Sequence, residues 1–252
     1  DVMLICGESA LSTLGERRAG KTKNSLPVAD VNLLDQLPYQ GLLLTRGAAK
    51  SYYLSGQNPA TKDYEVYLLK QDAKEAGLKA LKLFAVPEKI TAVAGDGEET
   101  YIALGGMIVK IGLETQELEA VFSHPQDEIT GLEFSQRAGL FYTTPFAVGF
   151  IGSSSYEFMQ SPWPQLRLRG KTLYLFLGKD NGLVKIAGLE AFATAARDIS
   201  ARESGLIPFP KDVKLALPAL EGLTAQWLLP PKAPSKISEK ILGFAIDTQE
   251  RA

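Results

Sequence analysis

One stretch of the sequence, residues 90–152, constrains the fold more than any other, because short apolar runs alternate with turn residues along its whole length. The run at 90–93 (ITAV) returns as the run at 129–132 (ITGL), 39 residues later, and a hairpin-like pair of strands follows each copy. Gly105 and Gly106 form a pair typical of two-residue hairpins, whose central positions need positive φ. The stretch therefore predicts a repeated unit of four short antiparallel strands.

Four such units follow one another along the chain. Their first strands begin near residues 41, 90, 129 and 166, which gives spacings of 49, 39 and 37 residues. A four-stranded repeat of about 40 to 50 residues is typical of a β-propeller blade, whereas a β-sandwich has no reason to repeat one strand order. The predicted strands are 41–45, 51–54, 64–69 and 78–84 in the first unit, 90–94, 100–104, 107–111 and 117–122 in the second, and 129–134, 140–143, 147–151 and 156–159 in the third, while the fourth unit runs over 166–187.

We therefore predict an all-β chain that forms a β-propeller of about five four-stranded blades, with an irregular β-sandwich or barrel as the alternative. Residues 188–203 place apolar side chains on one face at helical spacing and predict one inserted helix. Residues 223–229 and 241–247 are interpreted as the first strand and an inner strand of a fifth blade, which the strand at 2–6 would complete. The termini are irregular and rich in proline, so we divide the chain into a lead-in or closing segment, 1–38, and a propeller domain, 39–252.

The units at 90–122 and 129–159 resemble the blades of the β-propeller repeat superfamily, particularly its YVTN, NHL and two-component-sensor types. A buried strand, a turn that bears Asp96 and Gly97, and a hairpin follow one another as in those blades. The resemblance covers residues 41–187 and rests on the order of strands and turns, because the Trp-Asp dipeptide of WD40 repeats and the Gly-Gly spacing of kelch repeats are both missing. It implies a fold and a surface geometry and no particular activity.

Composition excludes several classes of function. The formal net charge is −2 and the pI about 5.7, which argues against nucleic acid as a partner, because phosphate binding needs a concentrated excess of Lys and Arg. Cys6 is the only cysteine, so the chain cannot form an internal disulfide.

No apolar run reaches the ~18 residues of a membrane span, and we expect no transmembrane segment. The chain starts with Asp1 rather than Met, which removal of a signal peptide or another choice of start would explain, and we expect a periplasmic or other extracytoplasmic location rather than a cytoplasmic one.

Residues 15–22 (GERRAGKT) match the phosphate-binding pattern G-x-x-x-x-G-K-[ST] letter for letter. That motif works when the loop leaves a buried strand at once and enters a helix, whose N-terminus then faces the phosphates. Here residues 7–14 separate the first apolar run from Gly15, and Pro27 follows Thr22 too soon for a helix. We interpret the match as chance and expect no cofactor, with nucleotide binding through Lys21 as a remaining alternative.

His124 is the only histidine, so a histidine metal site or a Ser-His-Asp triad would depend on this one residue. It lies with Asp127 in a connection between units and is interpreted as a solvated loop residue. Propeller lactonases hold calcium with Glu, Asp and Asn from several blades, whereas the first strands here carry Thr91, Thr130 and Arg167. We expect no catalytic or metal-binding residues, and a calcium-dependent hydrolase or lactonase-like enzyme is the alternative function.

The strand at Leu166 has a basic face, because Arg167 and Arg169 alternate with leucines. Period-two alternation does not say which face is wet, so the arginines point either into the central channel or to solvent at an edge.

Trp163 is the most conspicuous aromatic residue in a predicted loop, because Pro162 and Pro164 flank it. Such a residue is held rigidly and suits recognition, although packing over a blade edge is the interpretation that we favour. In propellers, loops between second and third strands and connections between blades lie at one mouth, which predicts binding from loops 57–63, 123–128, 161–164 and 179–181. The candidate binding residues are Asn58, Lys62, Asp63, His124, Asp127, Trp163, Lys179, Asp180 and Asn181.

The sequence as a whole predicts a non-catalytic interaction scaffold that is one subunit of a larger protein assembly. Three observations favour this function: the chain has no coherent set of reactive groups, its proline-rich ends suit contacts with neighbours, and its charge is close to neutral. The expected partners are other protein subunits.

Overall fold

The structure, a computed structural model, describes residues 3–6, 11–14, 40–46, 51–71, 78–96, 99–112, 117–152, 155–177, 182–192 and 222–229. These ranges contain eighteen strands, most of them rich in Leu, Ile, Val, Tyr and Phe, which fit a pleated and half-buried surface. The strands are β1 (Met3–Cys6), β2 (Leu11–Leu14), β3 (Gln40–Arg46), β4 (Ser51–Gln57), β5 (Tyr64–Gln71), β6 (Leu78–Val86), β7 (Ile90–Gly95), β8 (Thr100–Leu104), β9 (Met107–Ile111), β10 (Leu118–Ser123), β11 (Gly131–Ser135), β12 (Gly139–Thr143), β13 (Ala147–Ile151), β14 (Ser155–Gln160), β15 (Pro164–Arg169), β16 (Thr172–Leu177), β17 (Gly182–Ala187) and β18 (Thr224–Leu229).

Sixteen of these strands form four four-stranded antiparallel sheets, in which strands adjacent in the chain are adjacent in space. We call them blade 1 (β3 to β6), blade 2 (β7 to β10), blade 3 (β11 to β14) and blade 4 (β15 to β18). Within the described residues these sheets dominate, and the short helix at 190–192 is the one helical segment. The all-β, four-stranded blade prediction is confirmed, and the predicted strands of blades 1 to 3 agree with the observed ones to within a few residues.

The last strand of blade 4 corrects one prediction. The sequence places 223–229 at the start of a fifth blade, but β18 pairs antiparallel with β17 and is the outermost strand of blade 4. Trp227 lies opposite Val184 and packs against the core shared with blade 3. The long insertion at 188–223 hides this relation in the sequence, because the other blades join their third and fourth strands by short connections. The predicted strand at 241–247 lies outside the described residues.

The N-terminal strand also differs from the prediction. β1 pairs with β2 in a separate two-stranded sheet, with Met3 opposite Leu14, so its partner in the described part of the chain is not a blade strand. β2 ends at Leu14, so a strand directly precedes Gly15. The sequence predicts that residues 7–14 separate the nearest strand from Gly15, whereas four of these residues form β2. The phosphate-loop match at 15–22 itself lies outside the described residues.

Three apolar clusters fill the seams between successive blades. Seam 1–2 joins the two first blades, seam 2–3 the next pair and seam 3–4 the last pair, and strand alternation supplies side chains to both faces of the middle blades. The fully buried members include Tyr53, Val66 and Ile102 in seam 1–2, Ala103, Ile108 and Ile129 in seam 2–3, and Phe141, Val148, Phe150, Leu173 and Ile186 in seam 3–4.

The inserted segment begins inside seam 3–4. Residues 190–192 are helical, and the ring of Phe192 lies 5.0 Å from that of Phe158 and 5.4 Å from those of Phe141 and Phe150. This start confirms the first turn of the predicted helix, while 193–200 and the following residues lie outside the described part. Phe192 is fully buried, so the insertion is anchored where it leaves blade 4.

Both threonines of the repeated run donate hydrogen bonds to backbone carbonyl oxygens. Thr91 Oγ1 donates to the carbonyl oxygen of Ile129 at 2.6 Å, which links the first strand of blade 2 to the entry of blade 3. In the second copy, the Thr130 backbone N–H donates to the carbonyl oxygen of Thr143 at 2.7 Å. These first-strand threonines therefore have structural hydrogen bonds.

Candidate functional site

Three of the predicted mouth loops, 57–63, 123–128 and 161–164, are described, and they lie at one end of the sheets, because antiparallel strands alternate in direction and return each connection between blades to that end. In clip 2–3 (residues 104–107 with 123–129), the N–H groups of His124 and Ile129 donate to the carbonyl oxygens of Gly106 and Gly105, each at 2.8 Å. A Cβ on Gly106 would lie 2.9 Å from the Asp127 carbonyl oxygen, so this close approach requires glycine. The turn of blade 2 thus fixes the connection that follows.

Clip 3–4 (residues 144–147 with 160–163) repeats this arrangement one blade later. The Ser161 N–H donates to the Phe146 carbonyl oxygen at 2.8 Å, and the Trp163 N–H donates to the Pro145 carbonyl oxygen at 2.7 Å. Thr144 Oγ1 accepts from the Ala147 N–H at 3.0 Å and shapes the turn. Both connections between blades are therefore held by two backbone hydrogen bonds to the preceding turn.

His124 is enclosed in clip 2–3. Its Nε2 lies 2.9 Å from Glu157 Oε1, and its Nδ1 accepts from the Asp127 N–H at 2.8 Å. Because Nδ1 is an acceptor, we assign the neutral tautomer in which Nε2–H donates to the Glu157 carboxylate. The side chain is 9% exposed and its ring packs against those of Phe122 and Tyr142, which corrects the expectation of a solvated residue. With both ring nitrogens engaged, His124 has no free nitrogen to act as a general base.

Clip 3–4 presents aromatic side chains to solvent instead. Trp163 is 57% exposed and Phe146 is 59% exposed, and they stand on the two segments that the clip joins. Trp163 has φ 51°, a left-handed backbone conformation that costs a non-glycine residue roughly 1–2 kcal/mol. This exposure corrects the interpretation that Trp163 packs over a blade edge. Phe146 was not found from the sequence, where the signal was an aromatic residue after Pro145 in a turn.

Loop 57–63 is a compact turn in blade 1. Asn58 Oδ1 accepts from the Ala60 N–H at 2.9 Å, and the Lys62 N–H donates to the Asn58 carbonyl oxygen at 2.8 Å. Lys62 has φ 68° and its carbonyl oxygen accepts from Gln57 Nε2 at 2.9 Å. The Asn58 side chain thus shapes the loop, while Lys62 is exposed and Asp63 half-buried at its end.

The predicted site residues fall into separate groups along the mouth. Asn58, Lys62 and Asp63 share the loop of blade 1, His124 and Asp127 share clip 2–3, and Trp163 stands in clip 3–4. Lys179, Asp180 and Asn181 lie outside the described residues. The described site residues therefore stand in separate loops at one end of the sheets, and they do not share a single pocket.

A buried carboxyl group lies between the first strands of blades 3 and 4. Glu133 on β11 is 8% exposed, and burial raises its pKa to about 8, although Arg167 and the Leu168 backbone N–H act in the opposite direction. Arg167 Nη1 lies 3.9 Å from Glu133 Oε1 and donates to the Leu166 carbonyl oxygen at 2.8 Å. The Arg167 side chain, on the basic face of β15, is thus about half exposed and lies near the carboxyl group of Glu133. Sequence reasoning missed Glu133, since strand alternation alone gives no sign of a buried acid.

Glu65 in blade 1 is a second buried carboxylate that the sequence did not reveal. It is 4% exposed and is bonded by Lys82 Nζ at 2.6 Å, Tyr67 OH at 2.9 Å and Asn58 Nδ2 at 3.3 Å. The hydrogen bond with Glu65 raises the pKa of Lys82. A carboxylate with three donors is satisfied where it stands, so Glu65 is a structural group.

The described ranges contain no cluster of three or more His, Cys, Asp or Glu side chains suited to hold a metal ion. Nor do these ranges include a helix whose length and apolarity would suit a membrane crossing.

No protein-family model and no curated protein matches the chain by sequence. Solved structures do resemble it. A chain of the nidogen/laminin complex superposes with a TM-score of 0.50 at 11% identity, over 74% of this chain and 89% of that one. The fold is a β-propeller.

Two further structures resemble it less closely. The WD40 β-propeller domain of Doa1 has a TM-score of 0.39 at 9% identity, over 58% of this chain and 52% of that one. A gluconolactonase from Xanthomonas campestris has a TM-score of 0.44 at 14% identity, over 69% and 64%. Identities this low show the fold alone.

Proposed function

We propose that this β-propeller is a non-catalytic interaction scaffold, one subunit of a larger protein assembly, and that clip 3–4 is its binding surface. The observation that carries the proposal is Trp163, which is 57% exposed on a left-handed backbone. A backbone of this kind is tolerated where the surroundings hold it, and such positions cluster at functional sites.

The neighbouring contacts support a rigid aromatic surface. The Trp163 N–H is bonded to Pro145, and β15 starts at the next residue, so the backbone is fixed on both sides. Phe146 is exposed on the turn that the same clip holds. Rigid aromatic residues lose little conformational entropy on binding, and Trp is enriched among residues that dominate protein interfaces.

The polar residues of the mouth support binding over catalysis. His124 has both ring nitrogens engaged and Asn58 shapes its own loop, so neither presents a free reactive group. The hydrolase alternative needs oxygen ligands that converge from several blades, and the described residues contain no group of three or more His, Cys, Asp or Glu side chains suited to hold a metal ion.

The test compares partner capture by purified wild-type protein with capture by the double variant Trp163→Ala/Phe146→Ala. Proteins from the source organism that bind the wild type are identified and quantified by mass spectrometry. Loss of a dominant aromatic anchor is expected to lower the affinity for a true partner about 30-fold. The matched control is Leu81→Ala, since Leu81 is 59% exposed on β6 and away from the clip. A partner set that is unchanged in the double variant, or lost equally in the control, would contradict the proposal.

A further inference from the structure

A groove on blade 2 forms a second surface, separate from clip 3–4. Its volume is about 660 Å³. It follows the side of the outer strands that faces blade 1, because Val109 belongs to the core of seam 1–2 and lies opposite Ala120. The lining residues are Glu88, Lys89, Leu104, Gly105, Met107, Val109, Leu118, Ala120 and Glu128.

The walls of the groove are apolar and accessible. Leu118 is 43% exposed and Met107 is 37% exposed, and they stand at opposite ends of the two outer strands. Ala120 between them is exposed as well. Covering such side chains with another apolar side chain removes their surface from water, which favours binding.

The rim of the groove is acidic. Glu88 and Glu128 are both exposed, and within the described residues neither has an ion-pair partner, while Lys89 contributes one positive charge. Complementary charge steers partners and rejects those of the wrong sign, so this rim favours Lys or Arg.

The free edge of the blade favours occupancy of the groove over addition of a strand. β10 is the outermost strand of blade 2, but it carries the charged Glu119 and a bulge between Ala120 and Phe122. Charges and bulges on edge strands oppose pairing with a further strand. A ligand is therefore held by side chains that enter the groove.

We propose that this groove binds a peptide segment of a partner protein in which an apolar side chain fills the space between Met107 and Leu118. A Lys or Arg close to that side chain meets Glu88 and Glu128. This inference goes beyond the proposed function, because it assigns a second surface and the chemistry of its ligand, and it does not depend on Trp163.

The probe is a display library of short random peptides selected on the full chain, followed by affinity measurements on synthetic copies of the selected peptides. Selected peptides should share an aliphatic or aromatic residue next to Lys or Arg. Glu88→Lys/Glu128→Lys should weaken their binding at least tenfold, and Leu118→Asp should abolish it. Lys89→Glu should strengthen it, and added salt should weaken it because the rim charges are exposed.

Trp163→Ala serves as the control and should leave peptide affinity unchanged, which separates this inference from the aromatic surface. Selection of no peptide, a consensus without basic residues, or equal affinity in the Glu88 and Glu128 variants would overturn the proposal. If the groove variants change only the sedimentation of the protein alone, the groove belongs to a second copy of this chain, and the proposal is wrong.

Discussion

Clip 2–3 and clip 3–4 have the same backbone arrangement and opposite side-chain exposure. In each, a turn between second and third strands accepts two hydrogen bonds from the connection that follows. Clip 2–3 turns its ring inward, where the His124 side chain is 9% exposed and bonded at both nitrogens. Clip 3–4 turns Trp163 outward, with 57% exposure. A repeated backbone therefore constrains where a connection runs and leaves its side chain free to serve packing or presentation.

The seams below the two clips show the reverse distribution of polar groups. Seam 2–3 is apolar near its first strands, where Ala92 and Leu132 pack, and the hydrogen bond between His124 and Glu157 lies at its rim. Seam 3–4 has its aromatic residues exposed at the rim and the carboxyl group of Glu133 buried between its first strands. Polar groups therefore lie at the rim in seam 2–3 and between the first strands in seam 3–4. We expect the stability of the two seams to respond differently to pH and to mutation.

Of the substitutions considered, Glu133→Gln should change the unfolding free energy, and its dependence on pH, the most. The folded-state pKa is raised from 4.5 to about 8, so the folded protein keeps a proton that the unfolded chain releases. Stability from this group is therefore complete below pH 4.5, falls as pH rises and reaches its minimum above about 8. The unfolding free energy of Glu133→Gln should rise relative to wild type by a few kcal/mol across that window. Urea unfolding at several pH values measures it.

The second variant for this test is Arg167→Met. Arg167 lowers the pKa of Glu133, so its removal should raise that pKa further, and the loss of stability that begins near pH 4.5 should extend to higher pH and become larger. A difference between Glu133→Gln and wild type that stays constant with pH would show that the carboxyl group is not perturbed.

His124→Ala should lower the unfolding free energy by roughly 2 kcal/mol, because the Glu157 carboxylate and the Asp127 N–H lose their partner in a half-buried site. His124→Asn restores an acceptor near the position of Nδ1 and should recover part of the loss. Chemical denaturation measures both variants. Equal stability of His124→Ala and wild type would mean that clip 2–3 does not depend on its histidine.

Trp163→Gly and Trp163→Ala should differ least in unfolding free energy, and the difference between them reports on backbone strain at this one position. Both remove the indole, but glycine adopts φ near 51° without strain, so Trp163→Gly should be more stable than Trp163→Ala by about 1 kcal/mol. Both should lose the partner that the wild type binds. Thermal unfolding and partner capture together separate backbone strain from recognition, and an alanine variant as stable as the glycine variant would count against the strain.

The repeat made most of the fold predictable, whereas the exceptions to it were not. Strands such as β8 and β9 follow from alternating apolar residues around Gly105 and Gly106. β18 was misplaced because its pairing partner lies on the far side of a long insertion, and local pattern carries no information about such distant pairing. The division of the chain at residues 38 and 39 stays a prediction.

The site was less predictable than the fold, because exposure is a tertiary property. Flanking prolines drew attention to Trp163, but they do not say whether an indole turns outward. His124 was misread as solvated because Glu157, its partner, lies 33 residues away in the chain. Glu65 and Glu133 are buried only because neighbouring strands cover them.

The insertion in blade 4 has a consequence for the order in which the protein folds. β17 ends at Ala187 and its partner β18 begins at Thr224, whereas the connection from β9 to β10 in blade 2 spans only 112–117. Closing the longer loop costs about 1.6 kcal/mol more chain entropy than closing the shorter one. During synthesis, all four strands of blade 2 are available once Ser123 has left the ribosome. In blade 4, residues 188–223 are synthesised between the end of β17 and the start of β18, which carries Trp227. We therefore expect the outer edge of blade 4 to be the last of the four to pair, with β17 exposed as an unpaired edge strand until β18 is available.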